Sequence, residues 1–401
     1  MPQRRARSSR GLTGVAAACV LAAVVTLGLA ISHGADVEVA VTGTATEPPQ
    51  APLPGTLPDP VPQATEAPDP ASEAHPEPGA AAGTAGRGGD RPGPTADREP
   101  PAGTEPEPPG GPGRLVVHHV GDVNLDPDVV TSLATLGYDA VWDGARDTFA
   151  EADLVLANLE CAPTRGGVPQ PKQFLFRCEL DALPAMREAG VDVVTLANNH
   201  SGDFGVPAMV EGVTNVEAAG MVAVGVGADE QEAYAPRVVE VNGWRIAILG
   251  FGGVVPTPEW TARDELPGQA TGYDPDRMAE AVAAAHADAD LVIATVHWGT
   301  EGALEPRPED RPKARAMIAA GADVVFGHHA HRLQPLEVVD GAPVFWNLGN
   351  FVWPRLSQAS ATTAVAEWIV EPDGTVISCL LPAEIDVRGV PAPTGEPRRC
   401  Q

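Results

Sequence analysis

Polar side chains of the kinds that bind metal ions occur in five clusters along this chain. Each cluster ends an apolar run of strand length, and half of the ten histidines belong to three of the clusters. The candidates are Asp122, Glu160, Asn199 with His200, His297, and His328 with His329 and His331. A single histidine after a strand is usually a satisfied core or loop residue, whereas five clusters of matching chemistry predict one shared polar site.

This set mixes carboxylate, amide and imidazole groups. Imidazole suits Zn, Fe and Ni, and carboxylate oxygens also admit Mn and Mg. A carboxylate such as Glu160 can bridge two cations, and two metals about 3.5–4 Å apart suit in-line attack at phosphorus. His329 and His331, two residues apart, can face different metals. We therefore predict two divalent ions (Mn, Fe or Zn), with a metal-free hydrogen-bonded network as the alternative.

The elements that position these clusters follow from alternating strand and helix patterns. Ligands of parallel sheets gather at the carboxyl ends of strands, so we expect the clusters to converge in one crevice. The predicted strands are Leu115–Val120, Asp153–Ala157, Val191–Ala197, Leu291–Val296 and Val324–Phe326. The predicted helices are Leu180–Ala189, Pro207–Ala219, Asp274–Ala287 and Pro312–Ala320.

Three dipeptides predict hairpins between strands: Asn242-Gly243, Asp340-Gly341 and Asp373-Gly374. Such pairs supply the positive φ angles that tight hairpin turns require. Together, the patterns predict an α/β fold with a β-rich C-terminal half.

Six motifs bring the chain close to a known family. GDVNLD, ANLE, LANNHSGDFG, HWGTE, GHHAHRLQP and LGNFVW follow one another between Leu115 and about Val352. In these motifs and their order the chain resembles the CapA family, which is linked to capsule and poly-γ-glutamate synthesis. That family is built on the calcineurin-like metallophosphoesterase fold. The resemblance implies a β-sandwich flanked by helices (α-β-β-α). The folded domain is predicted to cover residues 114–401, because the Pro-rich composition ends at residue 113.

The resemblance also implies a role for each candidate. Asp122 matches the first metal ligand, Glu160 the bridging carboxylate and Asn199 the amide ligand. His200 matches the catalytic histidine that protonates a leaving group. The remaining metal ligands are His297, His329 and His331, with His328 as an alternative to its neighbours.

Three positions depart from the family pattern. Asn124 stands where many metallophosphoesterases have His, which predicts a weaker or different first metal site. Glu160 is one methylene longer than the usual Asp, and Gly302 replaces a Tyr that commonly follows HWGxE. These departures bear on phosphoesterase activity more than on the fold.

Two functions follow from the site and the resemblance. The first is a membrane-anchored extracellular protein for synthesis or export of an anionic capsular polymer of the poly-γ-glutamate type, with a membrane polymer-synthase complex as partner. The second is an exported metal-dependent phosphoesterase or phosphodiesterase acting on a phosphoester substrate. Metal-assisted proton abstraction or epimerisation is a third alternative.

The charge balance excludes one class of partner. The formal net charge is −28, from 54 acidic and 26 basic side chains, and Lys172 and Lys313 are the two lysines. A nucleic-acid-binding protein needs a basic surface to neutralise phosphates. We therefore expect no nucleic-acid partner.

The N-terminal region predicts an anchor. The basic residues 1–10 precede 22 uncharged residues, 11–32, which as a helix would measure about 33 Å and cross a bilayer core. Arginines before this segment and acids after it predict a cytoplasmic N-terminus. We expect an uncleaved single-pass signal anchor in the cell membrane, with the C-terminal domain extracellular. Cleavage after Ala30, lipidation of Cys19 and twin-arginine export from Arg4-Arg5 are the alternatives.

Residues 41–113 are predicted to be a disordered linker. They contain 19 of the 42 prolines and no Phe, Trp, Tyr or Ile. Such a segment buries too little apolar surface to offset its ordering entropy.

Four cysteines follow the anchor, an even number that permits two disulfides outside the cell. Sequence-local pairing predicts Cys161–Cys178 and Cys379–Cys400. Four free thiols or a zinc site are the alternatives, although the chain has no CxxC spacing.

Overall fold

The computed structural model describes residues 111–401. The segments 1–10 and 11–32 and nearly all of 41–113 lie outside the described residues. Within residues 111–401, no helix combines the length and apolar character needed to cross a membrane. Near the start of this range, the Gly113 backbone N–H donates to the Asn242 carbonyl at 2.7 Å.

Strands and short helices alternate along this part of the chain. The strands are β1 Leu115–Val123, β2 Leu154–Leu159, β3 Val193–Thr195, β4 Val222–Val224, β5 Val226–Gly227, β6 Arg237–Val241, β7 Trp244–Gly252, β8 Gly268–Gln269, β9 Leu291–Trp298, β10 Val324–His329, β11 Leu336–Val339, β12 Ala342–Phe345, β13 Asn350–Val352, β14 Thr362–Val370, β15 Val376–Ile385, β16 Pro391–Pro393 and β17 Arg399–Cys400. The helices are α1 Ser132–Leu136, α2 Arg146–Phe149, α3 Leu183–Glu188, α4 Val206–Ala218, α5 Glu230–Tyr234, α6 Pro275–His286, α7 Asp310–Ala319 and α8 Gln358–Ala361.

Two large sheets hold most of these strands. The first has the order β16-β15-β14-β1-β2-β3-β4, with β13 pairing beside β1 and β17 beside β15. Its β1, β2, β3 and β4 are parallel, and β14 and β15 are antiparallel. The second sheet has the order β11-β12-β10-β9-β7-β6, with a parallel centre of β12, β10, β9 and β7.

The two sheets pack face to face, with helices on both outer faces. One buried cluster joins Val117 and Leu156 of the first sheet to Ile248, Ile293 and Phe326 of the second. A second cluster packs α3 and α4 against the outer face of the first sheet. A third packs α6 and α7 against the outer face of the second sheet. The predicted α/β class is confirmed, and the layers run helix, sheet, sheet, helix.

All three predicted hairpins form. β6–β7, β11–β12 and β14–β15 are antiparallel pairs. At the first turn, Asn242 and Gly243 have φ angles of 51° and 83°. These positive values are what a two-residue hairpin turn needs to match the twist of its strands.

Some predicted boundaries were wrong, for local reasons. The expected strand Val191–Ala197 is only β3, Val193–Thr195, because the Asn198 side chain turns the chain by accepting the N–H groups of His200 and Ser201. The expected helix Leu180–Ala189 begins with a 3-10 turn and becomes α-helical at α3, where Pro184 occupies the first turn. Pro lacks an N–H and is tolerated there.

Both sequence-local disulfides, Cys161–Cys178 and Cys379–Cys400, are present. The alternatives of free thiols or a zinc site at these positions were wrong.

Candidate metal centre

The predicted clusters meet at the carboxyl ends of the parallel strands. In the first sheet, Asp122 lies in register with Asn158 of β2 and with Asn350 of β13. In the second sheet, His328 of β10 lies in register with His297 of β9. Asp122, His297 and His329 lie within the last residues of β1, β9 and β10 rather than after them, because these strands run longer than predicted.

Six of the seven predicted site residues fall into two overlapping groups or touch one. Candidate ligand atoms of Glu160, His297 and His329 all lie within 4.8 Å of one another, and so do those of Asp122, Glu160 and His331. Asn199 joins the first group, since its Oδ1 lies 2.8 Å from His297 Nε2. Glu160 belongs to both groups, so its carboxylate sits where a bridging ligand between two ions would sit.

Unpartnered carboxylate oxygen at the centre indicates that a cation fits there. Glu160 is fully buried, and its Oε1 has no hydrogen-bond donor. That oxygen lies 3.6 Å from His297 Nε2 and 3.7 Å from His331 Nε2, too far for hydrogen bonds. A buried carboxylate oxygen without a donor is costly. A bound ion, with the usual metal–ligand distances of about 2.0–2.2 Å, would satisfy the Glu160 oxygen and the two histidine nitrogens together.

The pKa values of the two carboxyl groups shift in opposite directions. Burial raises the pKa of Asp122, but contacts from His328 and His331 outweigh it and hold that pKa well below its usual value. Burial and the neighbouring Asp122 charge raise the pKa of Glu160 well above its usual value. These directions favour the ionised form of Asp122 and the protonated form of Glu160.

The pKa values of the three histidines also shift in opposite directions. Burial and the neighbouring His329 lower the pKa of His297 well below its ordinary value. Burial and His331 lower the pKa of His329 to about 4. Burial also opposes the charge of His331, but its hydrogen bond and charge interaction with Asp122 prevail and raise its pKa. These directions favour the neutral form of His297 and His329, which a metal ligand needs, and the protonated form of His331.

Backbone conformation at the last cluster is unusual. His329 and His331 have φ angles of 90° and 52°, in the left-handed region that favours glycine. Non-glycine residues in such conformations cost of order 1–3 kcal/mol and persist where the surroundings impose them, often at functional sites. Ala330 is the short link that turns the two imidazoles toward different groups.

Asparagines that support the ligands were not singled out from the sequence. Asn158 Nδ2 donates to Asp122 Oδ1 at 2.8 Å and to Glu160 Oε2 at 3.2 Å. Asn198 Nδ2 donates to Asn158 Oδ1 at 3.1 Å, and Asn350 Oδ1 lies 2.8 Å from His331 Nδ1. Each stands inside a motif already quoted. For Asn158 and Asn198 the position at or just after a strand end was the available signal, whereas Asn350 begins β13.

His200 lies beside the two groups and belongs to neither. Its Nδ1 lies 2.7 Å from Asp203 Oδ2, and its ring stacks on Phe176 with centroids 4.1 Å apart. Burial lowers the pKa of His200, although Asp203 acts in the opposite direction. The pairing with Asp203, which the sequence reading missed, orients the ring as a carboxylate orients a general acid–base histidine.

Two neighbouring positions take no direct part in either group. His328 Nδ1 lies 3.4 Å from Asp122 Oδ1 behind the site, so His331 rather than His328 completes the second group. Asn124 Oδ1 accepts the N–H of Asp126 at 2.8 Å. The amide that replaces the family's usual His therefore stabilises a local turn.

Together, these features define a class: an α/β protein of two packed sheets, with a buried centre of imidazoles, carboxylates and an amide at its strand ends. Residues 116–355 match the family described as "Bacterial capsule synthesis protein PGA_cap". The chain belongs to this family.

Two curated relatives share most of the described domain. The chain is similar to "Capsule biosynthesis protein CapA" of Bacillus anthracis, at 29% identity over 70% of this chain and 69% of the relative. It is also similar to "PGA biosynthesis protein CapA" of Bacillus subtilis (strain 168), at 29% identity over 70% of this chain and 73% of the relative. A solved structure, TT1561 of Thermus thermophilus, covers 66% of this chain and 97% of its own at 12% identity, with a TM-score of 0.37.

Proposed function

We propose that this protein acts in the synthesis or export of an anionic capsular polymer of the poly-γ-glutamate type. The observation that carries the proposal is its membership of the capsule synthesis family, with relatives named for capsule and PGA biosynthesis across about 70% of the chain. A membrane polymer-synthase complex is its proposed partner. Genes for a synthetase and a small membrane protein beside its own would support this partnership.

The proposed cofactor is a pair of divalent ions, Mn, Fe or Zn, in a metallophosphoesterase-like sandwich. Asp122, Glu160 and His331 would hold one ion, and Glu160, His297 and His329 with Asn199 the other. The support is the sharing of Glu160 by the two groups and its buried Oε1 without a donor. When bound, such ions supply Lewis-acid stabilisation of negative charge.

The chain's own residues would do the remaining work. Asn158 holds the Asp122 and Glu160 carboxylates in place. His200, held by Asp203, stands beside the ligands as a proton donor or acceptor for a bound group. Burial of these groups at the strand ends limits the access of water to the centre.

The proposed location is the cell membrane, with the domain outside the cell. Residues 11–32 carry this part of the proposal, and the two disulfides agree with an oxidising compartment.

A complementation experiment tests the polymer function. Cells lacking the gene should lose an extracellular glutamate-containing polymer, and the wild-type chain should restore it. Glu160→Gln should fail to restore it despite normal protein levels, because it removes the shared carboxylate charge. Unchanged polymer in the deletion strain would contradict the proposal.

A second candidate, an exported metal-dependent phosphoesterase, is favoured by the His200–Asp203 pair beside the ligands. The test is hydrolysis of an aryl phosphodiester by the purified chain with added Mn²⁺. His200→Ala should retain bound metal and lower kcat by about 10²–10⁴-fold, the usual contribution of a general acid. Equal rates in wild type and His200→Ala would count against this activity.

A further inference from the structure

The loop between Cys161 and Cys178 contains no regular secondary structure and is held by contacts with neighbouring segments. In residues 165–177 there is no helix or strand, and none of these residues is fully buried. The N–H groups of Val168 and Gln170 donate to the Phe204 and Asp203 carbonyls, each at 2.9 Å. Segments with few buried apolar contacts open readily, and the disulfide adds a covalent constraint at the base of the loop.

This weakly packed loop contacts both sides of the candidate site. At its start, Cys161 directly follows Glu160, and its Sγ accepts the N–H of Leu125 at 3.2 Å. At its end, Phe176 stacks on the His200 ring and donates its N–H to Asp203 Oδ2 at 2.7 Å. The loop thus covers one face of His200 and binds the carboxylate that orients it.

Lys172 makes the third contact between the loop and this side of the site. Its Nζ donates to the Asp203 carboxylate and to the Asn199 carbonyl, and it lies 3.4 Å from His200 Nδ1. Asp203 is therefore shared between Lys172 and His200. With its hydrogen bonds used inside the protein, Lys172 acts on His200 through Asp203.

We propose that the Cys161–Cys178 loop is the positioning element of the His200 side of the site, with Lys172 as a positioning residue, and that the disulfide keeps the loop in place over His200. Oxidation joins the two sulfurs and passes two electrons and two protons to a disulfide-bearing oxidant. A chain with both thiols reduced would protect His200 less well. The site would therefore be most complete in an oxidising compartment.

The second disulfide provides a matched control. Cys379–Cys400 joins β15 to β17 and closes a loop of similar length, with a sequence separation of 21 against 17. Within residues 111–401, no hydrogen bond of Asp122, Glu160, Asn199, His200 or His297 reaches either cysteine. Removing either bridge should have a similar effect on overall stability, but only the first should change the site.

The experiment compares Cys161→Ala/Cys178→Ala with Cys379→Ala/Cys400→Ala in the full chain. Modification of His200 by diethylpyrocarbonate is followed by mass spectrometry, since native His200 is only 6% exposed. Loss of local protection should raise its rate about 10-fold or more in the first pair and leave the second like wild type. Native-like protection of His200 in the first pair, or an equal increase in both, would overturn the proposal.

Single substitutions of Lys172 separate positioning from general loosening of the loop. Lys172→Met removes the charge that binds Asp203 and should speed His200 modification, whereas Lys172→Arg keeps charge and donors and should restore protection. This proposal rests on the proposed function at one point, the part that His200 takes in turnover. If no turnover is found in the wild type, the modification rates still decide whether the loop positions His200. Equal protection in Lys172→Met and wild type would show that Lys172 has no such role.

Discussion

At the scale of single residues, His297 is central to the proposed metal centre. Its Nε2 faces Asn199 Oδ1 at 2.8 Å, His329 Nδ1 at 3.1 Å and Glu160 Oε1 at 3.6 Å. Three potential ligands therefore surround one nitrogen of His297, which is fully buried.

His297→Ala should therefore lower bound metal from two ions per chain to about one. Mutation of a residue that is hydrogen-bonded to a ligand typically lowers metal affinity ~10–100-fold. Loss of the ligand itself should lower it at least as much. Metal content after gel filtration measures this, with His286→Ala at the exposed end of α6 as the control. Two retained ions in His297→Ala would remove His297 from the ligand set.

The metal-free site also makes a prediction about pH. The pKa values of His331 and Glu160 are raised, so both groups hold protons at pH values where they would ordinarily lose them. An ion must displace these protons, so metal affinity should increase as pH rises through the two raised pKa values. Calorimetric titration in two buffers of different ionisation enthalpy should show proton release. Affinity that falls or stays constant with rising pH would contradict these protonation states.

At the scale of elements, Gly121 sets the position of Asp122. A Cβ on Gly121 would lie 2.0 Å from the Gly349 carbonyl oxygen, so β1 can approach this neighbouring segment only without a side chain. The N–H of Asp122 donates to that same oxygen at 2.8 Å. The close approach holds the end of β1 at the ligand groups.

Gly121→Ala should therefore destabilise the fold by about 1–3 kcal/mol, the usual cost of forcing extra volume into a packed site. It should also lower bound metal, because the strand must move and Asp122 moves with it. Denaturant unfolding and metal content are the measurements. Gly111→Ala, where an added Cβ meets nothing within 4 Å, is the control. Wild-type stability and metal content in Gly121→Ala would show that the contact is not restrictive.

Local signals explain what the sequence predicted at this scale. Residues adjacent in the chain determine the turn at Asn242-Gly243 and the polar strand ends at Asp122 and His297. The structure contains this turn and both strand ends. The pairing of β13 with β1, which brings Asn350 to Asp122, joins residues far apart in sequence. The placing of Lys172 against Asp203 likewise depends on the disulfide-closed loop, and no local pattern encodes it.

At the scale of the whole molecule, charge sets the conditions for binding a polymer. A formal net charge of −28 repels a polyanion such as poly-γ-glutamate. Bound divalent cations invert the local field and would attract carboxylates to the centre. The metal ions therefore link the proposed site to the proposed substrate class.

The proposed membrane anchor can be tested at this scale. Because residues 11–32 are long enough to span a bilayer, membrane-extracted protein should retain its N-terminus. Intact-mass measurement checks this. A mature chain starting at Ile31, or a lipid on Cys19, would replace the anchor with one of the processed alternatives.

Glu160 is proposed to bridge two ions. Anomalous diffraction at the manganese edge from crystals grown with Mn²⁺ tests it most directly. We predict two peaks about 3.5–4 Å apart, both at coordination distance from Glu160, one beside His297 and His329 and the other beside Asp122 and His331. The absence of any peak among these residues, or peaks that leave Glu160 uncoordinated, would contradict the account.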